Sequence, residues 1–450
     1  MIGLNKIGLN QVQLNRLRLN APFPAYGKMA GGGGSGDGFP QLPGDVTRWH
    51  FGGLTNEMMA AMDDPRLEDA DGKGRFLSFK NFAWKEGSGI SDVYPGALVF
   101  DGVDDCGVCE NFPILTKEKG YTVVVLRQWD QDFLNTTLTG GLLSTRNYST
   151  GEGVAFEKIE SSNKGYWNLG AGGIIDFAKS PFTWQTSKQY NNVGILKGDK
   201  NHGKPLCVGC GLSGGQQCGR FAIWELVFLD HDATEEELTK IKDYFVKTYP
   251  WLFPDQAWTV VGKTNEDEDR ATIANITGNG NDLVCLNLGF IEGSGYNEEG
   301  EYAGYLVTDG VDDKITSSTF EMGNDWTVIG DWELINTGKN DNAGIVKFDS
   351  IVIYNYNPIL INIKNGRNNL IPDQNTVNAI CSDGRIYSKD WKESIYNEET
   401  ESTSKNLLTI GYSGNSYTKI AFKNLAIYPT VLSKEDCIKA YNYLQTLKAK

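Results

Sequence analysis

The sequence predicts an all-β protein: two tandem sandwiches, each ending in a short helix, preceded by an extended N-terminal arm. Three observations predict it. From residue 46 onward the 450-residue chain repeats itself at a lag near 200. Within each copy, short runs of β-branched and aromatic residues are separated by Gly, Asn and Asp, as in strands joined by turns. The composition fits, with 53 Gly, 14 Pro, 20 Tyr, 20 Phe and 11 Trp. The aromatics supply core-forming side chains that disordered chains lack, and Gly without a strict three-residue period excludes collagen.

The arm comes first. Lys6, Arg16, Arg18 and Lys28 give it four positive charges, and no acid precedes Asp37. The formal net charge is −15, so the remainder of the chain carries −19. A five-residue unit repeats four times, as Ile2-Gly-Leu4-Asn5, Ile7-Gly-Leu9-Asn10, Val12-Gln-Leu14-Asn15 and Leu17-Arg-Leu19-Asn20. Apolar residues at i and i+2 share one face of an extended strand, and four such units cannot bury that face alone. The arm is therefore expected to dock on a partner through residues 2–20. Gly31-Gly-Gly-Gly-Ser-Gly-Asp-Gly38 then reads as a flexible linker, giving an arm and linker over 1–45.

The duplication organises the rest. Asn81-Phe-Ala-Trp-Lys-Glu-Gly-Ser-Gly89 is matched by Asn287-Leu-Gly-Phe-Ile-Glu-Gly-Ser-Gly295, and Leu98-Val-Phe-Asp-Gly-Val-Asp-Asp105 by Leu306-Val-Thr-Asp-Gly-Val-Asp-Asp313. Trp49 corresponds to Trp258, and both are expected in the core. Phe221 to Tyr249 aligns with Ile420 to Lys448 at a constant lag of 199. Two copies follow, at 46–254 and 255–450. Strands are expected at Tyr121–Leu126, Leu206–Gly209, Phe221–Phe228, Ile345–Phe348, Ser350–Tyr354 and Leu407–Gly411. One helix closes each copy. Thr234 with Glu237 three residues on is a capping box, followed by the apolar stripe Leu238, Ile241 and Phe245. Ser433, Asp436, Cys437, Ala440 and Leu444 take the same places in the second copy.

Ile276-Thr-Gly-Asn-Gly-Asn-Asp282, the two Asp-Gly-Val-Asp-Asp elements and the closing Leu425-Ala-Ile-Tyr-Pro-Thr-Val-Leu-Ser433 resemble the laminin-G-like, concanavalin A-like lectin family. The first copy departs from that pattern, with Asp71-Gly-Lys-Gly74 in place of the Ser-Gly-Asn-Gly turn. The resemblance implies jelly-roll sandwiches used for glycan or protein binding. The arm followed by two such domains looks like virion proteins of tailed bacteriophages of gut bacteria, crAss-like phages among them. That resemblance implies a head or tail fibre or decoration component. Its partners would be other virion proteins and a glycan receptor, and its state a homo-oligomer, a trimer suiting a fibre. The alternative is a free carbohydrate-binding protein, and a concanavalin A-like glycosidase comes third.

Several site candidates can be named. Cys106-Gly-Val-Cys109 and Cys207-Val-Gly-Cys210 are two C-x₂-C pairs, the ligand supply of a tetrahedral zinc site, and copy two lacks both. Disulfides and plain buried thiols are the competing readings, and Cys218 or His202 could replace one ligand. Cys285, Cys381 and Cys437 lie in apolar patterns and read as buried. Asp101, Asp104 and Asp105, with Asp309, Asp312 and Asp313, could hold calcium, but tight Asp-Gly turns account for them better. Trp129, Trp167, Trp184, Trp332 and Trp391 sit among polar residues and are candidate sugar-stacking platforms.

Other functions find less support. Glu266-Asp-Glu-Asp269 has alternating carboxylates but reads as a solvated acidic turn, and copy one has Glu57-Met-Met-Ala in its place. His50, His202 and His231 give no spacing that supports a nucleophile–His–acid set. The expectation is a non-enzyme. Acidic balance disfavours nucleic acid, and no apolar stretch reaches membrane-spanning length. The N-terminus lacks the continuous apolar segment of a signal peptide. Synthesis in a host cytoplasm and arrival in the virion by assembly are therefore expected.

Overall fold

The computed structural model describes residues 37–113, 120–145, 155–158, 164–167, 174–176, 182–186, 205–212, 216–335, 344–348, 351–354, 359–363, 367–371, 377–395, 406–413 and 416–449. The arm, including residues 2–20, and His202 lie outside them. Among the described residues the architecture is all-β with short helices. The first half forms a six-stranded and a ten-stranded sheet, and the second half two eight-stranded sheets plus a small hairpin. Every described pairing is antiparallel except that of Gln216–Cys218 beside Gly140–Ser144.

The two halves are built alike. In the first, the long strand Arg220–Leu229 has Thr122–Trp129 on one side, with Val46–His50 and Leu98–Asp101 along the other. In the second, Ile420–Tyr428 is flanked in the same way by Thr327–Leu334, Gln256–Thr259 and Leu306–Val307. Even the irregularity is shared. A bulge skips Trp224 in one copy and Lys423 in the other, 199 positions later.

Alternation along the central strands sorts their side chains into layers. Val123, Val125 and Trp129 face the second sheet of copy one, where they join Leu77, Phe79, Leu142, Phe156 and Val208 in one core. Val124 and Leu126 face the other way, into a core shared with copy two. That shared core holds Leu238, Ile241 and Phe245 of the helix Glu235–Thr248 and Cys437, Ala440 and Leu444 of the helix Lys434–Gln445. Ile329, Ala426 and Tyr428, from the facing sheet of copy two, complete it. The order is thus sheet, sheet, helix layer, sheet, sheet. A strand buried on both faces needs continuous apolar sequence, which is why Val123-Val-Val-Leu126 runs without a polar break. Full burial of a Val, Leu, Ile or Phe side chain is worth roughly 1.5–3 kcal/mol, so the helix layer joins the copies firmly.

Both helices start where the sequence places them. Thr234, in extended backbone, accepts a bond from the Glu237 amide (3.3 Å), and the Glu237 carboxylate accepts one from the Thr234 amide (2.8 Å). Ser433 accepts from the Asp436 amide at 3.1 Å. The first helix ends at Thr248 because Tyr249 precedes Pro250, and a residue before proline is disfavoured in α conformation. Across the layer, the Tyr443 hydroxyl donates to Gln128 Oε1 (3.2 Å), and Lys448 pairs with Asp132.

Candidate functional sites: a thiol cluster and a repeated aromatic loop

The strand Cys106–Cys109 lies between Phe76–Lys80 and Leu206–Val208. It is regular, so Cys106 and Val108 face one side and Cys109 the other. Cys109 joins the inter-sheet core, where its thiol lies 3.5 Å from Asn111 Oδ1 and burial pushes it up to about 12. Cys106 instead clusters with Val108, Cys207, Cys210 and Cys218, all buried. Three of the four residues named from the C-x₂-C pairs therefore meet, and Cys218 takes the place expected of Cys109.

Cys207 and Cys210 share a side because Gly209 between them breaks the strand at φ +91°. A Cβ at Gly209 would lie 2.3 Å from the Phe100 ring and 2.7 Å from the Asp105 carbonyl, so only glycine fits. Beyond the kink, the hairpin Cys210–Leu212/Gln216–Cys218 sets Cys210 directly opposite Cys218, with the sulfurs 3.1 Å apart. Hydrogen bonds from Cys207 and Cys210 hold Cys106 down at about 4, and a bond from Cys210 lowers Cys218. Cys207 and Cys210 are shifted upward by the neighbouring sulfurs and by burial, and the Cys210 thiol donates to the Asp105 carbonyl at 3.4 Å.

The second site occurs twice. Asn81 and Asn287 stand at φ 69° and 66°, and Trp84 and Phe290 at 50° and 52°. Asn81 donates to the Asp104 carbonyl (2.9 Å) and Asn287 to that of Asp312 (3.0 Å). Ser88 donates to Asp105 (3.0 Å), and Ser294 to Asp313 (2.8 Å). Positive φ in a bulky aromatic residue is a genuine outlier. Here it turns Trp84 onto Phe82, stacked at 5.0 Å, and Phe290 onto Tyr296 at 6.2 Å. Both aromatics stay half-buried. Beside them Val103 and Val311 crown the Asp-Gly turns, 71% and 72% exposed.

Those turns account for the aspartates. Asp101 accepts from the amides of Val103 and Asp104, and Asp105 from the amide of Asp101, with the same bonds in copy two. Each triad also brings its carboxylates within 4.8 Å of one another. Burial pushes the Asp105 carboxyl up to about 7 and raises Asp313 in the same direction.

Other candidates find different places. Trp129 and Trp332 are buried, at 0% and 3% exposure, so neither is a platform for a sugar. Trp129 faces the inter-sheet core and stacks on Phe133 at 5.9 Å. Trp391 is half-buried against Tyr387 and Tyr441. The side chains of Trp167 and Trp184 lie outside the described residues. Trp49, Trp258, Cys285, Cys381 and Cys437 are buried as expected. In the acidic run, Asp267 caps the Thr264 amide (2.9 Å), and Asp269 pairs with Lys263 (2.8 Å).

Two features were not legible in the sequence. His50 Nδ1 lies 2.6 Å from the buried Glu225 carboxylate, which also accepts from the Tyr249 hydroxyl at 2.8 Å. The pairing follows from His50 standing opposite Glu225 in the register of adjacent strands. A cleft of about 300 Å³ also opens between the copies, with Gln131, Asp255, Thr277 and Asn279 around Phe253 and Ile276. No described helix is long and apolar enough to cross a membrane.

Among solved structures the chain is similar to the Trypanosoma rangeli sialidase, with 8% identity, a TM-score of 0.32, and 84% of this chain and 68% of that one covered. It is similar to the botulinum neurotoxin type G receptor binding domain at 12% identity and a TM-score of 0.26, covering 42% and 50%. For the receptor binding domain of botulinum neurotoxin D the values are 11%, 0.30, 80% and 96%. No protein-family model matches the sequence, and no curated protein matches it.

Proposed function

We propose that the chain is a non-catalytic adhesion protein. It is a pair of concanavalin A-like sandwiches that bind glycans and are displayed on a particle by residues 1–36. The observation that carries this reading is the repeated aromatic loop, kept in the same strained backbone by both copies of one fused body. Backbone strain of this kind costs on the order of 1–3 kcal/mol and persists where a site needs it. Holding two binding surfaces in one body multiplies apparent affinity for a many-copy surface by about 10²–10⁴. Duplicating a catalytic site gains no more than a factor of about two. Adhesion is thus the activity for which fusing two copies matters most.

A tailed-phage virion is the particle class in this reading. Its support is the sequence of the basic pentapeptide arm, whose four short units offer apolar i, i+2 pairs too few to make a core of their own. A trimeric fibre would then present six such loops.

The test is binding of the whole chain to a glycan array and to a surface coated with the best hit. Trp84→Ala or Phe290→Ala alone should weaken surface binding about a hundredfold or more, and the pair should abolish it. Deleting residues 1–36 should abolish particle incorporation and leave glycan binding intact. No binding to any glycan, or binding indifferent to both loop variants, would overturn the ligand class. Sugar release that Glu266→Gln with Glu268→Gln removes would establish the glycosidase instead.

A further inference from the structure

We propose that Cys106, Cys207, Cys210 and Cys218 bind one zinc ion, with Cys109 taking no part. The first support is enclosure: the four side chains are between 0% and 6% exposed and pack with Val108 in a cluster of their own. They come from separate stretches of chain, brought together by the pairing of Leu206–Val208 with Cys106–Cys109 and by the hairpin that follows. The second support is the kink. In an unbroken strand, residues three apart face opposite sides, and Gly209 exempts Cys207 and Cys210 from that rule at a position no other residue can fill.

The third support comes from copy two, in which the same place is built differently. There Ile315 pairs with Ile410 and Thr316 with Thr409, as Gly107 pairs with Val208 and Val108 with Cys207 in copy one. Gly411, at φ +79°, matches Gly209, and the hairpin Tyr412–Ser413/Ser416–Tyr417 matches the one that carries Cys210 and Cys218. The four cysteines therefore correspond to Lys314, Thr409, Tyr412 and Tyr417. Lys314 Nζ lies 5.1 Å over the Tyr412 ring, and the two tyrosine rings are 4.8 Å apart. Copy two fills this place with one cation and two large rings. Copy one has thiols at all four positions, smaller than the lysine and the two tyrosines and close in size to Thr409. Four thiols that meet in one copy and have no counterpart in the other mark a feature particular to copy one.

The chemistry of the cluster fits a thiophilic cation. Zinc binds thiolates at about 2.3 Å in a tetrahedron, which sets the sulfurs about 3.8 Å apart. At present the Cys210 thiol donates to the Asp105 carbonyl at 3.4 Å, with the Cys218 sulfur 3.1 Å away. The four sulfurs form an open arrangement, since no three of them lie within 4.8 Å of one another. Binding replaces the thiol protons with one ion and releases them to solvent. It parts Cys210 from Cys218, now 3.1 Å apart, and draws the other sulfurs inward by χ1 rotation. Lys80, opposite Cys106 in the neighbouring strand, offsets part of the site's negative charge.

The experiment is purification of the whole chain under reducing conditions, followed by dialysis against zinc and then metal-free buffer. Mass spectrometry should find about one zinc per chain. Cobalt in its place should show the absorption of a tetrahedral thiolate site. Cys109→Ser should keep full stoichiometry, whereas Cys218→Ser and Cys106→Ser should lose it. The thermal midpoint of the wild type should rise with zinc over chelator, and that of Cys218→Ser should not. The last comparison reads each protein against itself, so it holds even where a variant folds less stably. Zinc near zero in the reduced protein, or loss of zinc in Cys109→Ser with retention in Cys218→Ser, overturns the proposal. So does a Cys210–Cys218 disulfide that withstands reductant and leaves the protein indifferent to zinc.

Discussion

Gly209 and Gly411 offer a matched pair for testing how the thiol hairpin is held. They are equivalent: each carbonyl accepts a bond at 2.9 Å from a later residue of its hairpin, Gly219 in one copy and Thr418 in the other. Both have positive φ, +91° and +79°. An alanine at either site incurs the left-handed penalty, roughly 1–2 kcal/mol. The surroundings differ. At Gly411 the nearest atom to an added Cβ is Thr308 Cγ2 at 3.2 Å, a side chain held by bonds to Thr418 and Ile420 that has to give only a few tenths of an ångström. At Gly209 the ring of the fully buried Phe100 would be 2.3 Å away and the backbone oxygen of Asp105 2.7 Å away. Overpacking of that kind adds about 1–3 kcal/mol. Gly209→Ala should therefore cost about 2–5 kcal/mol, and Gly411→Ala about 1–2 kcal/mol. Urea unfolding followed by tryptophan fluorescence measures both on one transition, because the copies share a core. Equal costs, or a larger one at Gly411, would refute the argument that close approach to Phe100 reserves position 209 for glycine.

Three further outcomes follow from the same geometry. Thr234→Ala removes one side of the capping box and should lower stability by about 1 kcal/mol, read as a shift in urea midpoint. Leu444→Ala opens a cavity in the helix layer and should cost about 2–5 kcal/mol. Its proteolysis should show both halves becoming susceptible together, and protection retained by one half would contradict a single fused body. The third outcome concerns pH. Burial raises the Asp105 carboxyl from 3.8 to about 7, so the fold holds its proton more tightly than the unfolded chain does. This contribution is complete below about pH 4 and is lost as pH rises through 7. Wild-type stability should decline across that window, and Asp105→Asn should flatten the decline. An unchanged slope would show that the carboxyl does not titrate there.

The sequence carried most of the fold because its signals are local. Thr234 with Glu237, and Ser433 with Asp436, locate the helix starts by the spacing that one turn imposes. The run Val123-Val-Val-Leu126 marks a strand, but which partner covers each face depends on copy two packing from some 200 residues away. The misplaced tryptophans show the same limit. Trp129 has Gln128 and Asp130 beside it and looks like a loop residue. In the strand Gln128 points to the opposite face, where it is buried and accepts from Tyr443. Polar neighbours in a strand report on the other face. The C-x₂-C pairs meet a related limit, since only one of them brings both its thiols to one face. Each contains a glycine, Gly107 or Gly209, and nothing local says that only Gly209 takes positive φ. Gly107 stays extended, paired with Val208 on one side and Phe79 on the other.

The duplication separates what the two copies share from what one has changed. The helix layer, the bulge in the central strand and the aromatic loop with its Asp-Gly turn are common to both. The changes fall at equivalent positions elsewhere. The thiols of copy one replace a lysine–tyrosine stack. His50 and Glu225, opposite each other in copy one, correspond to Thr259 and Asn424 in copy two. A role that needs the aromatic loop therefore belongs to both copies and should fall in two steps as each loop is altered. A role that needs zinc belongs to copy one and should vanish in one step. If removing the metal left glycan binding whole while lowering the thermal midpoint, the thiol cluster would serve as a brace. It would replace, in one copy, the cohesion that Lys314, Tyr412 and Tyr417 supply in the other.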